Sequence, residues 1–156
     1  MAQNISISRR EAKADEIQRV SRIASLEDAI AHFNDGYETF VGERGVTLSG
    51  GQKQRTAIAQ MLIRKPPIMI FDDSLSAVDA QTDEKIRRAL SGEIQSATVI
   101  LTAHRISTLM QAGHIIVLDH GRIAEEGTHA DLIQKNGIYS KIYHLQAGIS
   151  ANTEER

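Results

Sequence analysis

Three short stretches carry residue types that could handle a phosphorylated ligand. The first is Ser49-Gly50-Gly51-Gln52, which opens the helical run Lys53 to Arg64. Glycines without a Cβ let an anion approach the backbone, and the free N–H groups at a helix start carry the positive end of its dipole. The same pair of glycines could equally form a plain turn. The second stretch is Asp72-Asp73, directly after the apolar residues Ile68-Met69-Ile70-Phe71. Two adjacent carboxylates repel each other and need a reason to be together: a metal ion on one reading, an exposed turn or helix cap on the other. The third is His104, just past Val99-Ile100-Leu101, either a structural histidine or a group that meets a ligand at the end of a strand.

The elements that must hold these residues follow from periodicity. Ile17, Val20, Ile23 and Ala24 fall at helical spacing, and Ser25 reads as the N-cap of a second helix, Leu26 to Phe33, stopped by Asn34-Asp35-Gly36. The helix after the glycines carries Ile58, Met61 and Leu62 on one stripe and ends at Pro66-Pro67. Ile68 to Phe71 is a fully apolar run, which predicts a strand buried on both faces of a parallel sheet, with ligands bound beyond its carboxyl end. Asp79 is placed to N-cap a helix from Ala80 to Leu90. On that helix Asp83/Arg87 and Glu84/Arg88 read as a solvated face, and Ile86 and Leu90 turn inward. A third strand, Ile115 to Leu118, turns at Asp119-His120-Gly121 into Arg122 to Glu126. Thr128 caps a helix from His129 to Asn136 that Gly137 ends, and a closing helix sets Ile138, Ile142 and Leu145 on one stripe.

Composition excludes several classes. The 156 residues are 41% hydrophobic and 24% charged, ordinary for one soluble globular domain. A formal net charge of −2 gives no basis for nucleic acid or an anionic membrane as partner. Cysteine is absent, so disulfides and thiolate chemistry are excluded. No apolar run approaches the ~18 residues that span a bilayer, and no signal peptide precedes the first charges. His114, His120 and His129 lack metal-ligand spacing and read as surface residues.

Leu48-Ser49-Gly50-Gly51-Gln52 resembles the signature motif of ATP-binding cassette (ABC) ATPases, and the other stretches fall in that family's motif order. Thr39-Phe40-Val41-Gly42-Glu43-Arg44-Gly45 resembles the loop by which exporter-type ABC domains touch the helices of their membrane half, with Phe40 where an acidic residue is usual. Ile68 to Asp72 looks like a Walker B strand, so the resemblance implies that Asp72 holds Mg²⁺. Asp73 stands where the family usually has a glutamate that polarises the attacking water. It is one methylene shorter, which sets its carboxylate back roughly 1.5 Å. A misplacement of about 1 Å can cost on the order of a hundredfold in rate, so a slow or silent hydrolytic site is expected on this side. Ser74 to Asp79 resembles the D-loop, which gives Asp79 a role at the opposite nucleotide besides its cap, and His104 matches the switch histidine. By the resemblance Ser49, Gly50, Gly51 and Gln52 close over ATP held by another subunit.

The resemblance covers about Asn4 to Gln146. It implies an α/β fold, a partial RecA-like P-loop NTPase core with a mostly parallel sheet plus the ABC helical subdomain. Residues 1–64 would be the helical subdomain, 65–147 the C-terminal part of the catalytic core and 148–156 a frayed tail. No Gly-x-x-x-x-Gly-Lys-Ser/Thr occurs in the sequence, and the base-stacking and glutamine loops are missing too. The P-loop strand is central in the family, so its absence exposes strand edges and predicts poor stability alone, self-association, or rescue by the missing half.

The implied function is a piece of an exporter ATPase that uses ATP and Mg²⁺, pairs with a second nucleotide-binding domain (identical or different) and docks on the coupling helices of a transmembrane domain. It would work at the cytoplasmic face of the membrane, while the isolated chain is expected to be soluble and inactive. The alternative is a non-enzymatic module that pairs with other cassettes. A soluble ABC ATPase acting on nucleic acid or ribosomes is disfavoured by the exporter-type loop and the acidic balance.

Overall fold

Helices α1 (Ala2–Ile5), α2 (Ala14–Ile23), α3 (Glu27–Ala31) and α4 (Gly50–Leu62) come first, followed by β1 (Ile68–Asp72), α5 (Ala80–Glu93) and β2 (Thr98–Thr102). The computed structural model describes residues 1–42, 45–72, 79–93 and 97–154. The fold is α/β, and the chain divides into two units, Met1–Thr102 and Ala103–Arg156.

In the first unit the apolar stripes of α1, α2 and α4 meet. Ile5, Val20, Leu26, Ile58, Ala59, Leu62 and Ile63 form one buried cluster with Met69 and Phe71 of β1 and Ile86 and Leu90 of α5. Ser21 enters this core because its hydroxyl donates to the Ile17 carbonyl one turn back, at 2.8 Å. At the start of α2 the Glu16 carboxylate accepts from the Lys13 N–H at 3.1 Å and from Arg9 Nη1 at 2.8 Å.

Ser25 does not start the second helix; it ends the first. Its φ of 53° is left-handed, and its N–H bonds the Arg22 carbonyl while the Leu26 N–H bonds that of Ser21. This paired closure of a helix C-terminus wants glycine at the left-handed position. Helix α3 begins at Glu27, with Leu26 ahead of it driven into the core. Ser25→Gly is expected to stabilise the chain by roughly 0.5 kcal/mol, the relief of left-handed strain less glycine's greater freedom when unfolded. Urea unfolding of the two proteins checks this.

Strands β1 and β2 pair in parallel, with Ile68 opposite Thr98 and Asp72 opposite Thr102. The expectation of burial on both faces holds for one. Met69 and Phe71 are buried, but Ile68 is 58% exposed, Ile70 64% and Ile100 51%. Alternate side chains of a strand point to opposite faces, and α5 and the N-terminal helices cover only the inner one. Among the described residues of the first unit, the outer face has the apolar composition of a covered sheet and no element packed on it.

Helix α5 holds a second departure. Asp83 is buried rather than solvated, and its carboxylate pairs with Arg87 Nη2 at 2.7 Å. It precedes Ile86 by three residues and Leu90 by seven, so it shares their inward stripe. Glu84 and Arg88, one position on, form an exposed pair at 2.6 Å.

The second unit contains α6 (Ile106–Leu109), the antiparallel hairpin β3 (Ile115–Asp119) and β4 (Arg122–Gly127), α7 (His129–Gln134) and α8 (Ile138–Glu154). His120 and Gly121 turn the hairpin with φ of 47° and 74°, as a two-residue hairpin loop requires. Thr128 caps α7, its hydroxyl accepting from the Asp131 N–H. The left-handed residue after α7 is Asn136, with φ 52°, and not Gly137. Gly137 is needed for another reason. A Cβ there would lie 1.9 Å from the Glu125 carboxylate, which reaches across from β4 to accept the N–H groups of Ile138 and Tyr139 and cap α8.

The inward stripe of α8 is also not the expected one. Tyr139 and Ser140 are buried while Ile142 and Leu145 are 39% and 67% exposed. Tyr139 wins because its ring packs with Ile106, Ile115 and Leu132 while its hydroxyl hydrogen-bonds His129 Nδ1 at 2.8 Å. An isoleucine has no polar tip with which to use that position.

Candidate functional site

At the start of α4 the local sequence closes on itself. The Ser49 hydroxyl accepts from the Gln52 N–H at 3.2 Å, and the Gln52 side-chain oxygen accepts from the Ser49 N–H at 2.9 Å. This reciprocal capping box satisfies two backbone donors and sets the entry angle of the helix. It leaves Gly50, the first residue of the helix, exposed. A Cβ built on Gly50 meets nothing within 4 Å, so no neighbour among the described residues demands glycine there. The open space is what an approaching anion would fill. A hydroxyl and first-turn N–H groups at the positive end of a 13-residue helix suit a phosphate oxygen.

Asp72 lies at the carboxyl end of β1, exposed, and accepts the Thr102 hydroxyl on Oδ1 at 2.6 Å. Among the described residues no group of three or more His, Cys, Asp or Glu could hold a metal ion. One carboxylate is still a fit for Mg²⁺, a hard cation that usually takes one or two carboxylates and completes its shell with water and phosphate oxygens. Asp73, the residue expected to orient the attacking water, lies outside the described residues, as do the first five residues of the Ser74 to Asp79 loop.

Asp79 caps α5, its Oδ1 accepting the Thr82 N–H at 2.9 Å. The Thr82 N–H, and next its hydroxyl, hold the Asp79 carboxyl below the usual aspartate range. The Thr128 hydroxyl and N–H do the same for Asp131 on α7, and the Lys13 N–H and Arg9 for Glu16 on α2. Each group binds its proton more weakly folded than unfolded, so each contributes stability above its ordinary value, 3.8 for Asp and 4.5 for Glu. That contribution is lost as pH falls through the lowered folded value. Urea midpoints are therefore expected to hold from about pH 7 to about pH 5 and then to fall. A midpoint unchanged down to about pH 3 would contradict the capping geometry.

His104 belongs to the second unit and its ring is exposed to solvent. Its backbone is fixed by Gln146 of α8, whose amide donates to the His104 carbonyl at 2.8 Å and accepts the Ile106 N–H at 2.9 Å. Sequence reasoning missed both Gln146 and Thr102. Gln146 was legible as a polar residue on the stripe of Tyr139 and Tyr143, and Thr102 as the last residue of the strand neighbouring β1.

Phe40 lies close to Gly45 and Val46: the Val46 N–H bonds the Phe40 carbonyl at 2.9 Å, and a Cβ on Gly45 would lie 2.1 Å from that oxygen. Phe40 stands 67% exposed on a pocket of about 370 Å³ lined also by Phe33, Asp35, Thr39 and Val46. Glu43 and Arg44 of this loop lie outside the described residues.

The family model described as ABC transporter matches residues 1–76. A solved bacterial Atm1-family ABC exporter with ATP bound superposes with a TM-score of 0.85 at 41% identity, over 94% of this chain and 26% of that one. The chain belongs to the ABC transporter family. An ATM1-type heavy metal exporter of Novosphingobium aromaticivorans is 42% identical over 97% of this chain. The multidrug resistance-like ATP-binding protein MdlA of Escherichia coli is 47% identical over 94% of it. The chain spans about a quarter of the length of each of these two relatives. It corresponds to the C-terminal portion of an exporter-type nucleotide-binding domain, and no described helix is long and apolar enough to cross a membrane.

Proposed function

We propose that this chain works as part of the ATP-hydrolysing domain of an ABC exporter, with residues 1–64 as its helical subdomain and 65–147 within its catalytic core. The observation that carries the reading is the start of α4: a self-capped Ser49–Gln52 turn with open space before Gly50, in a chain similar over nearly its whole length to an ATP-bound exporter. Ser49, Gly50, Gly51 and Gln52 close over the triphosphate of a second nucleotide-binding domain, and Asp79 reaches the same interface. On this chain's own side Asp72 holds Mg²⁺, Asp73 orients water less effectively than a glutamate, and His104 contacts the terminal phosphate. Bound Mg²⁺ neutralises charge on the phosphates during transfer to water. Phe40 and its pocket meet the coupling helices of the transmembrane domain, at the cytoplasmic face of the membrane.

No Gly-x-x-x-x-Gly-Lys-Ser/Thr is present to cradle the phosphates of this chain's own site, so the chain alone is expected to be inactive. That same lack favours a second reading, a module that pairs with other cassettes without turnover. Calorimetric titration with MgATP separates the possibilities. The chain alone should give no binding heat. After addition of the N-terminal part of the MdlA ATP-binding domain, which would supply the phosphate loop, one equivalent should bind. Tight stoichiometric binding by the chain alone would overturn the reading, and no binding in the mixture would favour the non-enzymatic module.

A further inference from the structure

The outer face of the β1–β2 sheet changes character along its length. The register sets Ile68 beside Thr98, Ile70 beside Ile100 and, at the carboxyl end, Asp72 beside Thr102. There the Thr102 hydroxyl donates to Asp72 Oδ1 at 2.6 Å, within the range of short hydrogen bonds to an ionised carboxylate. Thr102 is exposed, and valine, the same shape without the oxygen, suits a strand as well.

We propose that Thr102 is a positioning residue for Asp72, its hydroxyl fixing the plane in which the carboxylate meets the divalent cation that accompanies the nucleotide. The proposal rests on the reading of Asp72 as a metal ligand. An aspartate at the open end of a strand samples several rotamers and a broad range of carboxylate planes. Mg²⁺ tolerates little departure from octahedral geometry, so a carboxylate held in one plane binds it better than one that must be ordered first. Groups that hydrogen-bond a metal ligand from behind commonly control affinity in this way.

The test uses Thr102→Val, Thr102→Ser and Asp72→Asn in the full chain, with Mn²⁺ alone as the probe. Two quantities are read: the carboxyl-carbon resonance of Asp72 without metal, and the Mn²⁺ concentration that half-broadens the backbone signals around Asp72. Thr102→Val should shift the resonance and raise the Mn²⁺ midpoint roughly tenfold, the low end of the cost of losing such a partner. Thr102→Ser, which keeps the hydroxyl, should leave both near the parent values. If Thr102→Val fails to fold, Thr102→Ala is read in its place. A shifted resonance with an unchanged midpoint, or no change in either, would overturn the proposal while leaving Asp72 as ligand. Broadening that survives Asp72→Asn would overturn the metal reading itself, and the proposal with it.

Discussion

Gly50→Glu is expected to leave the chain folded and, on the function proposed above, to abolish closure over a partner's nucleotide. The position sits at the first residue of α4 with open space where a side chain would go. A carboxylate in the first turn of a helix interacts favourably with the dipole, so urea stability should be unchanged or slightly raised. The same carboxylate would stand where a terminal phosphate approaches. It would replace attraction to N–H groups with repulsion between anions at close range, in a site from which closure excludes water. In an exporter in which this chain replaces the matching segment of MdlA, ATP turnover at the site it closes should fall about a hundredfold or more, the scale of losing a preorganised anion-stabilising contact. Unchanged turnover with intact stability would mean that the glycines are only a turn and that the nucleotide is met elsewhere. A collapse of stability would mean that Gly50 is demanded by packing, which its surroundings argue against.

Asp83→Ala should destabilise the first unit by about 3 kcal/mol, the low end for breaking a buried ion pair because the Arg87 side chain keeps 29% of its surface exposed. The carboxylate is buried on the stripe of Ile86 and Leu90, and its removal takes from the half-buried Arg87 guanidinium the anion it holds at 2.7 Å. Alanine's better helix propensity returns only a few tenths of a kcal/mol. Glu84→Ala removes a pair of the same residue classes at the same spacing on the same helix. It should change stability by less than about 0.5 kcal/mol, because that pair is exposed and screened. Chemical denaturation of both variants beside the parent chain makes the comparison. Equal effects would mean that burial does not distinguish the two pairs.

These two pairs show what periodicity alone does and does not give. Spacing of four announced both contacts. Only the count back from Ile86 and Leu90 placed Asp83 on the buried stripe, and the reading of charge as solvated overrode it. Ser25 failed for a related reason: a serine before an apolar residue suits a helix start, but the hydrogen bonds from its own N–H and that of Leu26 close the helix before it. On α8, apolar spacing favoured Ile138, Ile142 and Leu145, and the hydroxyl of Tyr139 with its His129 partner decided otherwise.

What the sequence determined by itself is the chemistry that local backbone can hold. The Ser49–Gln52 box, the Asp79 and Thr128 caps and the His120-Gly121 turn each close within a few residues, so their residue types are sufficient to specify them. The order of the motifs, and through it the family, was legible for the same reason. Tertiary structure alone decided the contacts between residues far apart in the chain: Thr102 on Asp72, Glu125 over the start of α8 with Gly137 making room, and Gln146 holding the backbone at His104. It also decided that, within the first unit and among the described residues, Ile68, Ile70 and Ile100 on the outer face of β1 and β2 stay exposed. A strand's composition reports the cover its face is suited to, whereas the cover itself must come from other elements packed against it.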